Sequence, residues 1–207
     1  MWVVKFGGSL IKTAELQDIL KQLADHGTGK MILVPGGGVF ADQVRFLQEE
    51  LQIDDVTAHR MALRAMEQLG SLIIAMDPRF HAANSLKAIN EWLDKNQIPV
   101  WFPYDMVVDN PAIRASWDIT SDSLSLWLAN ALKCQNLVLL KPTLPDKDDY
   151  SADYLSQLGF LDSGFAGMMQ EMLVKPWWLF YEQMESFFNL LDCTDGSASG
   201  MKEIVKK

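Results

Sequence analysis

The sequence predicts an α/β fold in three layers, with a mainly parallel central sheet covered by helices on both faces. Three observations predict it. The runs at residues 2–6, 30–34 and 136–140 are nearly continuously apolar rather than alternating, the pattern of strands buried on both faces. Between them lie stretches with apolar residues at helical spacing, and strands alternating with helices build parallel sheets. Two of the strands run straight into glycines, Gly7-Gly8 and Gly36-Gly37-Gly38, at the carboxyl edge where such sheets bind ligands.

Residues 2–6 read as the first strand. Residues 13–26 follow as a helix with Leu16, Ile19, Leu20 and Leu23 on one face and Thr13 as N-cap. Gly27-Thr28-Gly29 ends it. Residues 30–34 are the second strand, and residues 39–51 a helix opened by the glycine run. Residues 56–76 form a long helix rich in methionine and alanine. Residues 82–95 read as an amphipathic helix with Leu86, Ile89 and Leu93 inward, and residues 99–103 as a short strand between prolines. Residues 121–132 are helical and 136–140 a buried strand. Residues 142–150 are polar and acidic with two prolines, hence an exposed loop. Residues 177–180 read as a late strand, 182–191 as the last helix and 201–205 as an edge strand. No repeat, low-complexity tract or linker interrupts the pattern, so residues 1–207 are read as one domain.

Composition narrows the function. Of 207 residues, 49% are apolar, enough for a full core. The net charge of −9 argues against a nucleic-acid partner, which calls for a basic face. Any anion site must then be built from local cations and backbone dipoles. Cys134 and Cys193 form no CxxC pair and no zinc spacing, and read as free thiols of a reducing compartment. The first apolar run is too short for a signal peptide and no run is long enough for a membrane span. The expected location is the cytoplasm.

Lys5-Phe6-Gly7-Gly8-Ser9 delivers a cation and two residues without side chains at a strand end. Glycines let backbone N–H groups approach a phosphate closely. Taken alone, the motif reads equally as a phosphate cradle or a plain turn. It is not a P-loop, because GxxxxGK[ST] is absent. Gly36-Gly37-Gly38 points amide donors and a helix start toward an anion, and it is not a GxGxxG fingerprint. Ser116-Trp117-Asp118-Ile119-Thr120-Ser121-Asp122-Ser123 clusters hydroxyls and carboxylates at a helix start. It reads either as a capping cluster or as a site in which Asp122 orients Lys5 or helps to place magnesium. Lys141 ends a central strand, as a rim lysine or a contact to nucleotide. Arg60 and Arg64, four apart, read as a surface pair or as a phosphate clamp.

These motifs in this order resemble the amino-acid kinase family of acetylglutamate, aspartate, uridylate, carbamate and isopentenyl phosphate kinases. The resemblance spans most of residues 1–141. It implies a three-layer α/β/α kinase that passes the γ-phosphoryl group of ATP, with Mg2+, to a carboxylate, carbamate or phosphate. The phrases Val34-Pro35-Gly36-Gly37-Gly38-Val39-Phe40-Ala41-Asp42 and Ala58-His59-Arg60-Met61-Ala62 are most similar to a small branch acting on aminomethyl-furan-methyl phosphate in methanofuran biosynthesis. That branch turns a phosphate monoester into a diphosphate.

Carried over, the resemblance makes Lys5 and Asp122 catalytic. It puts Gly7, Gly8 and Ser9 at the nucleotide phosphates and Gly36, Gly37 and Gly38 at a small anionic acceptor. The residues themselves add Ser121 and Lys141, the latter as a second cation, to the nucleotide phosphates and Arg60 to the acceptor, and no residue is assigned to metal. Residues 1–115 form the acceptor side and 116–207 the nucleotide side. The family also implies a homo-oligomer. The chain departs from many relatives in two places. Lys141-Pro142-Thr143-Leu144-Pro145-Asp146 stands where they have Asp-x-Asp-Gly, and Gly200-Met201-Lys202 stands very late for a second catalytic lysine. A kinase of a carboxylate or carbamate, or a catalytically weak nucleotide-binding protein, is the alternative.

Overall fold

The computed structural model describes residues 1–192 and 200–206. Cys193 lies outside them; Cys134 is buried with a free thiol. The described strands are β1 (Trp2–Phe6), β2 (Met31–Pro35), β3 (Phe80–Ala83), β4 (Ile98–Trp101), β5 (Asn136–Lys141), β6 (Lys175–Phe180) and β7 (Met201–Glu203). They form one sheet in the order β3-β4-β2-β1-β5-β6-β7. Every pairing is parallel except β6 with β7. The principal helices are α1 (Leu16–Gly27), α2 (Gly38–Leu51), α3 (Asp55–Met76), α4 (Leu86–Asp94), α5 (Tyr104–Val107), α6 (Ser121–Ala131), α7 (Ala152–Gln157), α8 (Phe165–Glu171) and α9 (Met184–Leu191). None is long and apolar enough to cross a membrane among the described residues.

The alternation of side chains along each strand explains the two cores. Val3 of β1 and Leu137 and Leu139 of β5 join one core with α6 and α8. Val4 and Phe6 of β1 and Val138 and Leu140 of β5 join the other with α1 and α9. Lys5 and Lys141 fall in phase with the first set. They stand at the carboxyl ends of neighbouring strands, on the face that α6 covers. Register Lys5↔Leu139 sets them two residues apart along the sheet.

Some elements differ from the sequence reading. A 3-10 turn, Gly8–Lys12, follows β1, and α1 starts only at Leu16 with Glu15 as N-cap. The Thr13 hydroxyl donates instead to Leu10 O at 2.8 Å. Residues 82–95 are not one helix: Ala82 and Ala83 end β3, and Ser85 caps α4 by accepting from Ala88 N–H at 3.2 Å. Leu86 faces out, while Ile89 is buried.

Candidate active site

Strand β1 has β2 on one side and β5 on the other, so the strand order reverses there and the connections from these neighbouring carboxyl ends diverge. That divergence opens a crevice, and a cavity of about 440 Å³ fills it. Its floor is the two glycine loops. Gly8, Ser9, Gly36, Gly37 and Gly38 line it, with Ser121 from α6 and His59, Leu63 and Met66 from α3. The 3-10 turn and α2 both begin here, and the first N–H groups of a helix have no intrahelical partner.

The glycine loops pack on each other, which explains why they are glycines. A Cβ on Gly8 would lie 2.4 Å from Gly38 N, and one on Gly36 would lie 2.6 Å from Gly8 N. Gly36 N–H donates to Phe6 O at 2.9 Å and Gly7 N–H to Leu140 O at 3.1 Å. Gly38 adopts φ +52°, the left-handed region that glycine enters freely.

Behind the floor lies a buried charge cluster. Lys5 Nζ is 2.9 Å from Asp122 Oδ1. Lys141 Nζ donates to both Asp122 oxygens at 3.0 Å and to Phe160 O at 2.6 Å. All three side chains are buried. Burial pushes the Asp122 carboxyl up, but the charges of Lys141 and Lys5 and their hydrogen bonds outweigh it, and the net shift is down. Burial lowers the Lys141 ammonium to about 8, with Asp122 opposing. Lys141 thus uses three donors on protein acceptors, and an ammonium has three. Its place is beside Asp122, inside the protein, rather than on the rim.

Asp122 is held there by a carboxylate from far along the chain. Asp162 accepts from Thr120 N–H at 2.9 Å, Ser123 N–H at 3.0 Å and the Thr120 hydroxyl at 2.9 Å, and also from the Ser123 hydroxyl. Thr120 is the N-cap by position, yet its side chain makes no cap bond; Asp162 caps α6 in its stead. Burial, then the nearby Asp122 charge, raises the Asp162 carboxyl against these bonds. Nothing in the local sequence singles out Asp162, because its partners lie about forty residues away.

The cavity rim carries Lys12, Asp42, Arg45 and Asp55. Lys12 Nζ is 3.9 Å from Asp42, and both are exposed. The Arg45 guanidinium stands 4.2 Å over the Trp117 ring. Arg60 is not brought to this cavity. It lines a separate groove between α2 and α3 and pairs with the exposed Asp109 at 3.4 Å, because its position on α3 faces away from His59. Arg64 pairs with Glu67. Lys202 pairs with Asp148 at 2.8 Å, not with Asp122.

The donor set suits phosphate: helix-start amides, the Ser9 and Ser121 hydroxyls, and cations in front of and behind the glycines. It does not suit a protein-held metal. Among the described residues no group of three or more His, Cys, Asp or Glu gathers for one, and both Asp122 oxygens are taken by lysine.

Residues 1–143 match the family model described as "Amino acid kinase family". A [5-(aminomethyl)furan-3-yl]methyl phosphate kinase of Methanocaldococcus jannaschii is 31% identical over 140 residues, 67% of this chain. That match spans 64% of the relative's own length. The uridylate kinase of Archaeoglobus fulgidus shares the fold at a TM-score of 0.65 and 15% identity, over 99% of both chains. The isopentenyl phosphate kinase of T. acidophilum does so at 0.61 and 15% identity, over 99% of this chain and 100% of that one. On its sequence match and its sheet, the chain belongs to the amino acid kinase family.

Proposed function

We propose that the protein is an ATP-dependent kinase that phosphorylates a small phosphate monoester to a diphosphate. The observation that carries this reading is the Lys5–Asp122–Lys141 cluster directly behind a glycine-lined cavity. An aminomethyl-furan-methyl phosphate is the acceptor we favour, supported by the name of the M. jannaschii relative. ATP supplies the phosphoryl group. Lys5, fixed by Asp122, offers a preorganised positive charge to the oxygens of the group in flight, where charge stabilisation is the main catalytic device. The glycine-loop amides and the Ser9 and Ser121 hydroxyls hold phosphate oxygens. Magnesium accompanies the nucleotide in this reading. The nucleotide half is roughly residues 116–207 and the acceptor half roughly residues 1–115, with the 116–120 segment lining the cavity they share.

The test is ADP release with ATP, Mg2+ and a panel of acceptors: the furan phosphate, other phosphate monoesters, glutamate, aspartate and carbamate. We expect release that depends on the monoester and is lost in Lys5→Ala. Release with a carboxylate instead moves the reaction to that acceptor. Failure of every acceptor leaves a nucleotide-binding protein of this fold. Phe46, Leu51 and Val56, exposed at the end of α2 and the start of α3, support pairing with a second copy, which light scattering checks. The free Cys134 thiol supports a reducing, cytoplasmic location.

A further inference from the structure

The outer wall of the cavity is built as carefully as its floor, and it is not a phosphate wall. Trp117 Nε1–H donates to Gln48 Oε1 at 2.6 Å, and Gln48 Nε2–H donates to Asp55 Oδ1 at 2.9 Å. The relay joins the 116–120 segment, α2 and the first turn of α3. It fixes an indole and a carboxylate side by side on the cavity lining. Asp55 is thus held by a neutral amide, which leaves its charge uncompensated by that contact.

One turn further along the same face of α3 is His59. It also lines the cavity, is 8% exposed, and its Nε2 has no hydrogen-bond partner. A buried polar atom without a partner costs stability unless something satisfies it. Burial lowers the His59 pKa, so the ring is neutral and adds no anion-binding charge here. The charged groups facing this space are Lys12, Arg45, Asp42 and Asp55. Asp42 has Lys12 near it at 3.9 Å, and Arg45 stands over Trp117.

We infer that the wall formed by Trp117, Asp55 and His59 is a subsite for a protonated amine carried on a planar ring, so that the acceptor binds as a zwitterion. This rests on the reading of the cavity as the acceptor site of a kinase. The anionic end of the acceptor meets the glycine amides. The ring lies along Trp117, and the ammonium meets Asp55 in a charge-assisted hydrogen bond. His59 supplies the polar partner for the ring heteroatom or the amine. Asp55 is a specificity residue: it touches the far end of the acceptor and not the reacting oxygen. A carboxylate in the first turn of a helix also favours the helix on its own account. Substrate choice is the readout that this structural role does not move.

The experiment compares the aminomethyl furan phosphate with the analogue bearing hydroxymethyl in place of aminomethyl. Binding of each is measured by calorimetry without nucleotide, in wild type, Asp55→Asn and His59→Gln. Phosphorylation of each is followed separately. Wild type is expected to bind the amine about tenfold more tightly, which corresponds to about 1.4 kcal/mol. Asp55→Asn is expected to erase that preference with little change in binding of the hydroxymethyl compound. His59→Gln, which keeps a polar atom, is expected to retain more of the preference than His59→Leu. Equal binding of the two compounds by wild type, or a preference that survives Asp55→Asn, overturns the subsite. A preference that Asp55→Asn abolishes, without phosphorylation of either compound, sustains the subsite and removes the kinase reading instead.

Discussion

Both carboxylate oxygens of Asp122 lie 3.0 Å from Lys141 Nζ, so one buried acid and one buried base from elements nineteen residues apart form a two-pronged contact. Lys5 adds a second cation at 2.9 Å. Removing the acid leaves two buried ammonium groups without the carboxylate they both contact, and breaking a buried pair this way costs about 3–5 kcal/mol. Asp122→Ala is therefore expected to lose that much stability in urea unfolding as well as its activity. A variant that is inactive yet as stable as wild type would contradict the cluster's structural share.

The two lysines are expected to fail differently. Lys5→Met leaves Asp122 paired with Lys141, so the fold survives while the rate falls by about 10²–10³, the usual loss for one preorganised charge. Lys141→Met leaves Phe160 O and an Asp122 oxygen without a donor, and is expected to cost more stability than Lys5→Met. Melting curves and single-turnover rates on both variants separate the roles. A Lys5→Met enzyme at wild-type rate would remove Lys5 from the chemistry.

The Lys141 ammonium, lowered to about 8 by burial against the pull of Asp122, sets an alkaline limit. As pH rises through about 8 the native protein loses this proton and Asp122 loses half its support, so the rate is expected to fall. The stability term has the opposite sign. Between about 8 and the unfolded value near 10.4 the unfolded chain holds more protons, so this group's contribution to stability increases with pH. The rate limb is expected to be absent in Lys141→Met, measured as kcat against pH.

Much of this was legible in the sequence, for identifiable reasons. β1, β2 and β5 are apolar on both faces, and the glycines that follow β1 and β2 are explicit in the residues. The pairing of Lys5 with Asp122 follows from the family resemblance, and the structure places them in contact. β3 was hidden because Phe80–Ala83 is four residues with two alanines, weak strand formers, beside a clear helical pattern. α7 and α8 are short helices without a long apolar period. Arg60 shares a helix with His59 but not its face, and a residue pair four apart does not say which face meets a cavity. Asp162 and the Trp117–Gln48–Asp55 relay depend on contacts across the chain, which no local pattern encodes.

Asp162 caps α6 from a distance, and its loss should show in the helix it caps. Asp162→Ala strips the acceptor from two backbone N–H groups and two hydroxyls and is expected to cost about 2 kcal/mol. The pH response is distinctive. Burial and then the Asp122 charge raise this carboxyl, so just above the unfolded value near 3.9 the native state holds more protons than the unfolded chain. Stability from this group therefore grows on mild acidification. Asp122, lowered overall, behaves oppositely, and its contribution is lost as pH falls further below 3.9. In Asp162→Asn the first effect should vanish and the second persist, seen in urea midpoints across pH.

Glycine substitutions give a paired test. Gly8→Ala would place a Cβ 2.4 Å from the Gly38 backbone, and overpacking of that kind costs about 1–3 kcal/mol or more. It should also abolish activity by parting the loops. Gly167, exposed in α8, would have nothing within 4 Å of a Cβ. Gly167→Ala is expected to gain up to about 1 kcal/mol from helix propensity, a rise of about 2–4 °C in Tm by calorimetry.

The contact between Gly8 and Gly38 has a consequence for anyone recombining this protein with its relatives. Neither loop has a shape of its own, since each is moulded against the bare backbone of the other. The smallest segment that can be transplanted is therefore the pair: a β1 loop moved without its β2 counterpart would arrive at a surface cut for a different neighbour. The same holds over evolutionary time, where a side chain gained in one loop would demand a compensating retreat in the other.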